Sequence, residues 1–310
     1  MNTKTLILLS VLFIALYLNV VCVSADFPPA VDHEKKWMFS YLTVINQPMS
    51  FYYNLIKWNP YNNIVTPFSK WNPTLLTEFI EYSHERGVAV HNFLPVNCTA
   101  VDCLTFKGWA NTAFQHMQSI NPKYIASMAV GCLKDSWSFY NADYAHYFIL
   151  MCYDMGWSSN PLAPTSPIVE VRYNVNMWKG YVNKPGKIIM GLPLYSYYAN
   201  CTAMNYGLFG TVCNVEGINT NPSVGYNGIY DLVNNYPAVS YQELNGVSFA
   251  NVFRPGSLNV TQFMFDTPAN LYQKYIGMGI GGTACWRIDN LVGLPQSVIN
   301  TFYIALDPYN

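Results

Sequence analysis

Charge is scarce in this 310-residue chain, and positive charge is not in excess. Charged residues make up 11% of the sequence, and the formal net charge at pH 7 is −1. Binding to nucleic acid or to an anionic membrane surface requires a basic field, so the composition argues against both partner classes. Disorder is also excluded, because 51% of the residues are apolar and can form a sizeable core.

The sequence also lacks the short motifs of several enzyme classes. No G-x-G-x-x-G follows an early strand-like run, and neither a Walker loop nor a G-x-S-x-G nucleophile elbow is present. The five histidines show no His-Glu-x-x-His spacing, and no Cys/His spacing is typical of a zinc site. We therefore expect no metal or organic cofactor. His91 is expected to be a core or wall residue rather than a catalyst.

The amino-terminal segment 1–25 has the pattern of a secretory signal. Lys4 precedes an apolar run over 6–23, and Val23-Ser24-Ala25 offers a small-residue cleavage site. An uncleaved signal anchor is the alternative, because the run is close to the roughly 17–25 residues of a membrane span. No later segment of the sequence is long and apolar enough to cross a bilayer. We predict one domain over 26–310, in a secreted or lysosomal protein.

An oxidising compartment allows disulfide bonds to form and persist. Two pairs of cysteines are close enough in sequence to close small loops, Cys98 with Cys103 and Cys201 with Cys213. The second pair flanks an 11-residue loop, and we expect it to be bonded.

Three further cysteines follow the signal. Cys152 and Cys285 lie in apolar strand-like runs and are expected to be free buried thiols, whereas Cys132 carries no expectation. Three sequons support secretory passage. They begin at Asn97, Asn200 and Asn259.

Short apolar runs alternate with helical patterns along the chain, which favours a parallel sheet covered on both faces. An α/β barrel is the leading fold for such a chain, with its site at the carboxyl ends of the strands; a doubly wound sheet is the alternative. Seven runs are predicted strands: Trp37–Tyr41, Asn63–Phe68, Val88–Leu94, Tyr124–Val130, Tyr147–Tyr153, Lys187–Pro193 and Gly279–Trp286. The predicted helices are Pro73–Gly87, Thr105–Ile120, Val171–Val182 and Thr267–Met278.

The stretch 195–261 interrupts this alternation. It is rich in Asn, Gly and Tyr and shows no clear helical period. We predict a mostly β or irregular insertion between the last two barrel strands, followed by a short extended segment at Phe263–Phe265.

Four segments together resemble glycoside hydrolase family 18. Phe148–Asp154, which ends in Met-Cys-Tyr-Asp, is similar to the family's sixth barrel strand, and Lys187–Tyr197 is similar to the seventh. Phe265-Asp266-Thr267-Pro268 resembles the segment before its last helix, and Gly279–Trp286 resembles its eighth strand. The Cys201 to Cys213 insertion most resembles the lysosomal di-N-acetylchitobiases. The resemblance implies a TIM barrel and N-acetylglucosamine oligosaccharides or glycans as partners.

The resemblance also implies a substrate-assisted mechanism. In that family a glutamate protonates the glycosidic oxygen, and the 2-acetamido group of the substrate acts as the nucleophile. Tyr153 matches the tyrosine that donates a hydrogen bond to the acetamide oxygen, and Asp154 matches the aspartate that follows it. These two residues are the candidate catalytic residues.

Four further residues match the sugar pocket of the family. Trp286 matches the tryptophan that lies under the sugar, with a buried core indole as the alternative. Met151 matches the pocket methionine, with core packing as the alternative. Tyr195 and Tyr197 lie near the equivalent strand end and are candidate substrate-binding residues.

The chain departs from the family at the fourth strand. The family motif Asp-x-x-(Asp/Asn)-x-Asp-x-Glu is missing, and only Glu34 of the seven glutamates after the signal has an aspartate two places before it. Glu34 precedes the first strand, so it cannot end the fourth. The helix at Thr105–Ile120 leads instead into Tyr124–Val130, which has no carboxylate and resembles the fifth strand. One strand-helix unit is therefore missing, which should open the barrel wall or force it to re-close.

Three functions remain open from the sequence. The first is a catalytically inactive family member that binds N-acetylglucosamine oligosaccharides. The second is an active chitobiase-like hydrolase, with an exon omitted from the sequence or with a replacement acid. The third is a secreted structural or interaction protein that keeps only the scaffold.

Overall fold

The computed structural model describes most of the chain after residue 35. The described ranges are 36–92, 127–133, 145–155, 163–182, 184–202, 223–235, 240–244, 246–253 and 259–309, with single residues at 112, 115, 116, 119 and 125. The segment 1–25, Cys98, Cys103, Cys213 and Asn97 lie outside these residues, and the side chains of Asn200, Cys201 and Asn259 are not described. The signal, both loop disulfides and the sequons therefore stay predictions. Within these ranges no helix has both the length and the apolarity that crossing a bilayer requires.

The described residues form twelve strands in two sheets. In chain order they are β1 (Trp37–Tyr41), β2 (Asn62–Thr66), β3 (Ala89–Asn92), β4 (Ser127–Gly131), β5 (Tyr147–Met151), β6 (Ile188–Pro193), β7 (Tyr195–Thr202), β8 (Ser223–Gly225), β9 (Ser240–Leu244), β10 (Val247–Phe253), β11 (Asn259–Phe265) and β12 (Gly282–Trp286). The larger sheet is parallel and runs β3-β2-β1-β12-β6-β5-β4.

This strand order is that of a barrel wall with one strand removed. The first strand lies beside the last, and the neighbours on either side follow chain order, which a doubly wound sheet does not do. The predicted barrel derivative with seven strands is therefore confirmed, and the doubly wound alternative is wrong. The described strands leave the wall open between β3 and β4, which are the two edges of this sheet and do not pair with each other.

The helices are α1 (Met49–Leu55), α2 (Pro73–His84), α3 (Ile168–Val182), α4 (Tyr226–Asn235), α5 (Pro268–Tyr275) and α6 (Gln296–Leu306). Of these, α2, α3 and α6 pack against β3, β6 and β12 of the parallel sheet. Every residue of β6 is buried, as expected for a strand covered on both faces. Alternate residues form a separate inner core inside the curled sheet, including Phe39, Ile149 and Ile189. Of the predicted helix Thr105–Ile120, the described residues Thr112, Gln115, His116 and Ser119 are helical.

The start of β12 requires glycine because two backbones approach it closely. A Cβ atom on Gly282 would lie 1.7 Å from the carbonyl oxygen of Trp37, and one on Gly281 would lie 2.0 Å from that of Gly186. Real Cβ contacts do not come this close, so any larger residue would push β12 away from β1. The glycine pair before Trp286 is thus explained by strand packing.

The stretch after β6 forms a second, antiparallel sheet in the order β8-β7-β11-β10-β9. A single residue separates the end of β6 from the start of β7, and β11 ends at Phe265, two residues before α5. Helix α4 also lies in this mostly β stretch, where the sequence predicts no helix. Tyr226 and Ile229 are the buried side chains of α4, too few to give a clear period in an Asn- and Gly-rich sequence.

A disulfide bond joins Cys132 to Cys152, with their Cα atoms 4.8 Å apart. The prediction that Cys152 is a free thiol is wrong. Gly131 and Met151 are register partners at the ends of β4 and β5, so the next residue of each strand meets the other across the ladder. Cys285 is buried and free, as predicted.

We expect the double variant Cys132→Ala/Cys152→Ala to lose at least about 3 kcal/mol of unfolding free energy. The two residues are 20 apart in sequence, and closing a loop of that size restricts the unfolded chain by about this amount. Urea unfolding measures it. Cys285→Ala is the matched control, because it removes a buried sulfur without a cross-link and should cost about 1 kcal/mol. Equal losses in the two variants would show that the bond contributes nothing.

Candidate active site

The predicted site residues meet at one end of the parallel sheet. Tyr153 and Asp154 follow β5, Tyr195 and Tyr197 open β7 just after β6, and Trp286 ends β12. Because β5, β6 and β12 are adjacent and parallel, their carboxyl ends share one border, which we call the rim. In barrels of this kind the active site lies at that end of the strands.

Asp154 is the polar centre of the rim. Its side chain is exposed, and its Oδ1 atom accepts hydrogen bonds from the hydroxyls of Tyr195 and, at 2.5 Å, Tyr197. The two tyrosines are two apart on β7, so they point to the same side of that strand. Asp154 has a φ of 63°, a left-handed conformation that aspartate tolerates better than most residues.

The surroundings of Asp154 keep both phenols protonated. Burial first, and then the carboxylate of Asp154, raise the pKa of Tyr195 and of Tyr197 far above the ordinary value for tyrosine. Burial also raises the pKa of Tyr153 well above its ordinary value, with smaller contributions from Tyr41 and Asp154. All three hydroxyls therefore remain hydrogen-bond donors across the physiological pH range.

Two aromatic rings, Tyr41 and Trp286, form what we call the floor of the site. Their centroids are 5.1 Å apart and the rings are tilted by 56°. Trp286 is partly buried and packs on the inner core, so it is not enclosed as a core indole would be. Tyr41 was not predicted as a site residue. The sequence shows an aromatic residue at the carboxyl end of the first strand. Its place in the site follows only from the pairing of β1 with β12.

Met151 and Tyr153 share the inner face of the sheet. Tyr147 and Ile149 belong to the inner core, and the period of two along a strand extends this face to Met151 and Tyr153. Met151 is 37% exposed, which does not fit the core-packing alternative. Beside Tyr153, Gly191 permits the close approach of β5 to β6, because a Cβ atom there would lie 2.6 Å from the Leu150 carbonyl oxygen.

Comparison with known families decides the identity of this barrel. The model of Glycosyl hydrolases family 18 matches residues 107–290, more than half of the chain. The chain belongs to glycosyl hydrolase family 18. A comparison with curated proteins gives no match.

Solved structures of family 18 proteins share the fold at low sequence identity. An N-acetylglucosaminidase of the family from Paenibacillus barengoltzii has a TM-score of 0.64 at 9% identity, over 88% of this chain and 100% of that one. A Cycas revoluta chitinase in complex with (GlcNAc)3 has a TM-score of 0.60 at 10% identity, with the same coverage. The Bacillus cereus spore cortex-lytic enzyme SleL has a TM-score of 0.60 at 15% identity, over 88% of this chain and 76% of that one.

The open edge of this family 18 barrel carries no acidic side chain on either bordering strand. β3 is Ala-Val-His-Asn and β4 is Ser-Met-Ala-Val-Gly. His91 Nε2 lies 3.0 Å from Asn63 Oδ1, and burial lowers the His91 pKa to about 4. His91 is therefore neutral near pH 7, as a wall residue would be. In the part of the chain that the structure describes, no three His, Cys, Asp or Glu side chains group as a metal site would require.

Proposed function

We propose that this family 18 chain binds N-acetylglucosamine oligosaccharides at the rim and does not hydrolyse them at the rate of an intact family member. The observation that carries the proposal is the convergence of Tyr153, Asp154, Tyr195 and Trp286 on one end of the sheet. Solved family 18 neighbours were determined with (GlcNAc)3 and with NAG4, which supports the same ligand class for this chain.

The rim offers a complementary surface for an N-acetylated sugar. The partly exposed face of Trp286 suits the apolar CH face of a pyranose ring. The protonated hydroxyl of Tyr153 suits an acetamide carbonyl oxygen, which accepts a hydrogen bond. The exposed carboxylate of Asp154 suits an N–H or O–H donor of the same sugar.

Hydrolysis requires a group that these residues do not provide. The family mechanism needs a proton donor beside the glycosidic oxygen, and the family motif places that donor on the fourth strand. Neither β3 nor β4, which border the open edge, contains an aspartate or a glutamate. Asp154 follows β5, and its Oδ1 atom already accepts hydrogen bonds from two phenols of β7, which begins just after β6.

We also propose that the chain belongs to the chitobiase-like branch and passes through the secretory pathway to the lysosome or the cell exterior. The branch is supported by the insertion that begins at β7, and the pathway by the signal-like segment 1–25. An active hydrolase is the second candidate, because the open edge between β3 and β4 is where one further strand-helix unit would fit. Sequencing the transcript around Ile120 tests that candidate directly.

The binding proposal is tested by titrating N-acetylglucosamine oligomers into the purified chain by calorimetry. Trp286→Ala should raise the Kd about tenfold, since loss of an aromatic face can cost roughly 1.4 kcal/mol. Trp58→Ala is the matched control: Trp58 precedes the amino end of β2, at the opposite end of the sheet, and packs on Tyr82. Its Kd should equal that of the wild type. No binding by the wild type would overturn the proposal in favour of a scaffold role.

A further inference from the structure

A buried carboxylate ties together two segments that border the floor. Asp289 lies in the turn Ile288–Leu291 directly after β12 and is 5% exposed. Its Oδ1 atom accepts a hydrogen bond from the backbone N–H of Thr43 at 3.1 Å, and its Oδ2 atom accepts one from the Thr43 hydroxyl at 3.1 Å. One side chain thereby holds the segment after β1 against the segment after β12.

Arg287 completes a closed network with these two residues. Its Nε atom lies 3.1 Å from Asp289 Oδ2, and its Nη1 atom donates to the hydroxyl of Thr43. The Arg287 side chain is 40% exposed, whereas that of Asp289 is 1% exposed. The charge of the buried carboxylate is thus balanced by a cation at the surface of the rim, and its oxygens are satisfied by three donors.

The residues of this network are close in sequence to the two rings of the floor. Thr43 follows Tyr41 by two residues, and Arg287 directly follows Trp286. The two rings belong to neighbouring strands whose ladder ends at Ser40 and Cys285. Past that point the β1–β12 ladder no longer joins the two strands, although β6 still pairs with Trp286 and β2 with Tyr41. The described side-chain hydrogen bonds that join the segments after β1 and β12 involve Asp289 and Arg287.

We propose that Asp289 is a positioning residue for sugar binding, which holds the Trp286 ring at a fixed angle on Tyr41. This inference rests on the proposed function of the rim. A stacking surface contributes most when its orientation is set before the ligand arrives, because ordering a side chain on binding lowers affinity. Asp289 touches no ligand in this scheme and acts through the floor.

The test combines a spectroscopic readout with binding. Trp286→Phe first isolates the contribution of Trp286 to the near-ultraviolet circular dichroism, as the difference from the wild type. Asp289→Ala should abolish most of that difference signal and raise the Kd for N-acetylglucosamine oligomers about tenfold. Asp289→Asn, which keeps an acceptor for the Thr43 N–H, should retain part of the Trp286 dichroism signal and part of the sugar affinity. It keeps the test decisive if Asp289→Ala does not fold. Asp231→Ala, an exposed aspartate on α4, should change neither.

Two outcomes separate this inference from the proposed function. In a Trp286→Ala background, Asp289→Ala should weaken binding no further, because the ring that it positions is gone; an undiminished second loss would contradict the inference. If the wild type binds no sugar, the dichroism still decides whether Asp289 orients Trp286. An unchanged Trp286 signal in folded Asp289→Asn and Asp289→Ala would overturn the positioning role whatever the sugar affinity.

Discussion

Lys274→Met is expected to destabilise the folded chain by about 3–5 kcal/mol, measured as the loss of unfolding free energy in urea. Lys274 lies on α5, is completely buried, and forms an ion pair with buried Asp266 at the end of β11. Burial lowers the pKa of the Lys274 ammonium and raises the pKa of the Asp266 carboxyl, although each partner opposes the shift of the other. Removing the lysine leaves a carboxyl without its charge partner in the core.

The double variant Lys274→Met/Asp266→Leu provides the internal control. It removes both charges together, and replacing a whole buried ion pair by apolar groups is often nearly neutral for stability. The double variant should therefore regain most of the stability that the single variant loses. Lys70→Met, at an exposed position, should change the unfolding free energy by no more than about 0.5 kcal/mol. A double variant as unstable as Lys274→Met would mean that packing, not charge, explains the loss.

A fluorogenic chitobioside should be hydrolysed by the purified chain at least about 10²–10⁴-fold more slowly than by an intact family 18 enzyme. The substrate acetamide can attack the anomeric carbon only if the leaving oxygen receives a proton. Among the described residues of the rim, the exposed carboxyl is that of Asp154, and it accepts hydrogen bonds from Tyr195 and Tyr197 on the side of β6. It is therefore poorly placed to protonate a leaving group beside β4.

The variant Asp154→Asn tests whether Asp154 acts as a replacement for the missing proton donor. On the proposed function Asp154 binds the sugar but is not the proton donor, so we expect the variant to lower the residual rate by no more than about tenfold, the effect of one lost hydrogen bond. The Cycas revoluta family 18 chitinase, assayed in parallel, supplies the reference rate. Turnover near that reference, abolished by Asp154→Asn, would make Asp154 the acid and the chain an active hydrolase.

The strands of the parallel sheet were predictable because burial on both faces produces continuous apolar runs. Trp37–Tyr41 was predicted with the bounds that β1 has, and Lys187–Pro193 was one residue longer than β6. The prediction for the last strand began at Gly279, three residues early. Gly279 has a φ of 62°, which an extended strand does not allow, and a sequence of apolar residues and glycines does not reveal that turn.

What the sequence did not predict depends on which strands are neighbours. The Cys132–Cys152 bond requires β4 beside β5, and the pairing of Tyr41 with Trp286 requires β1 beside β12. The motif Phe265-Asp266-Thr267-Pro268 indicates a family resemblance but no structural role. Its residues stabilise the fold. Thr267 caps α5, and Asp266, which precedes the helix, forms an ion pair with Lys274 of α5.

The position of β12 in the sheet has a consequence for how the chain folds. Among the described strands, β1, β2 and β3 form one group and β4, β5 and β6 another, and β12 alone joins them. β12 leaves the ribosome about 245 residues after β1 (Gly282 pairs with Trp37), which takes on the order of 10–50 s at ordinary synthesis rates. Until then two half-sheets of three strands each would leave an unpaired border in contact with solvent. The floor, half of which is Trp286 on that late strand, is therefore the last part of the site to form.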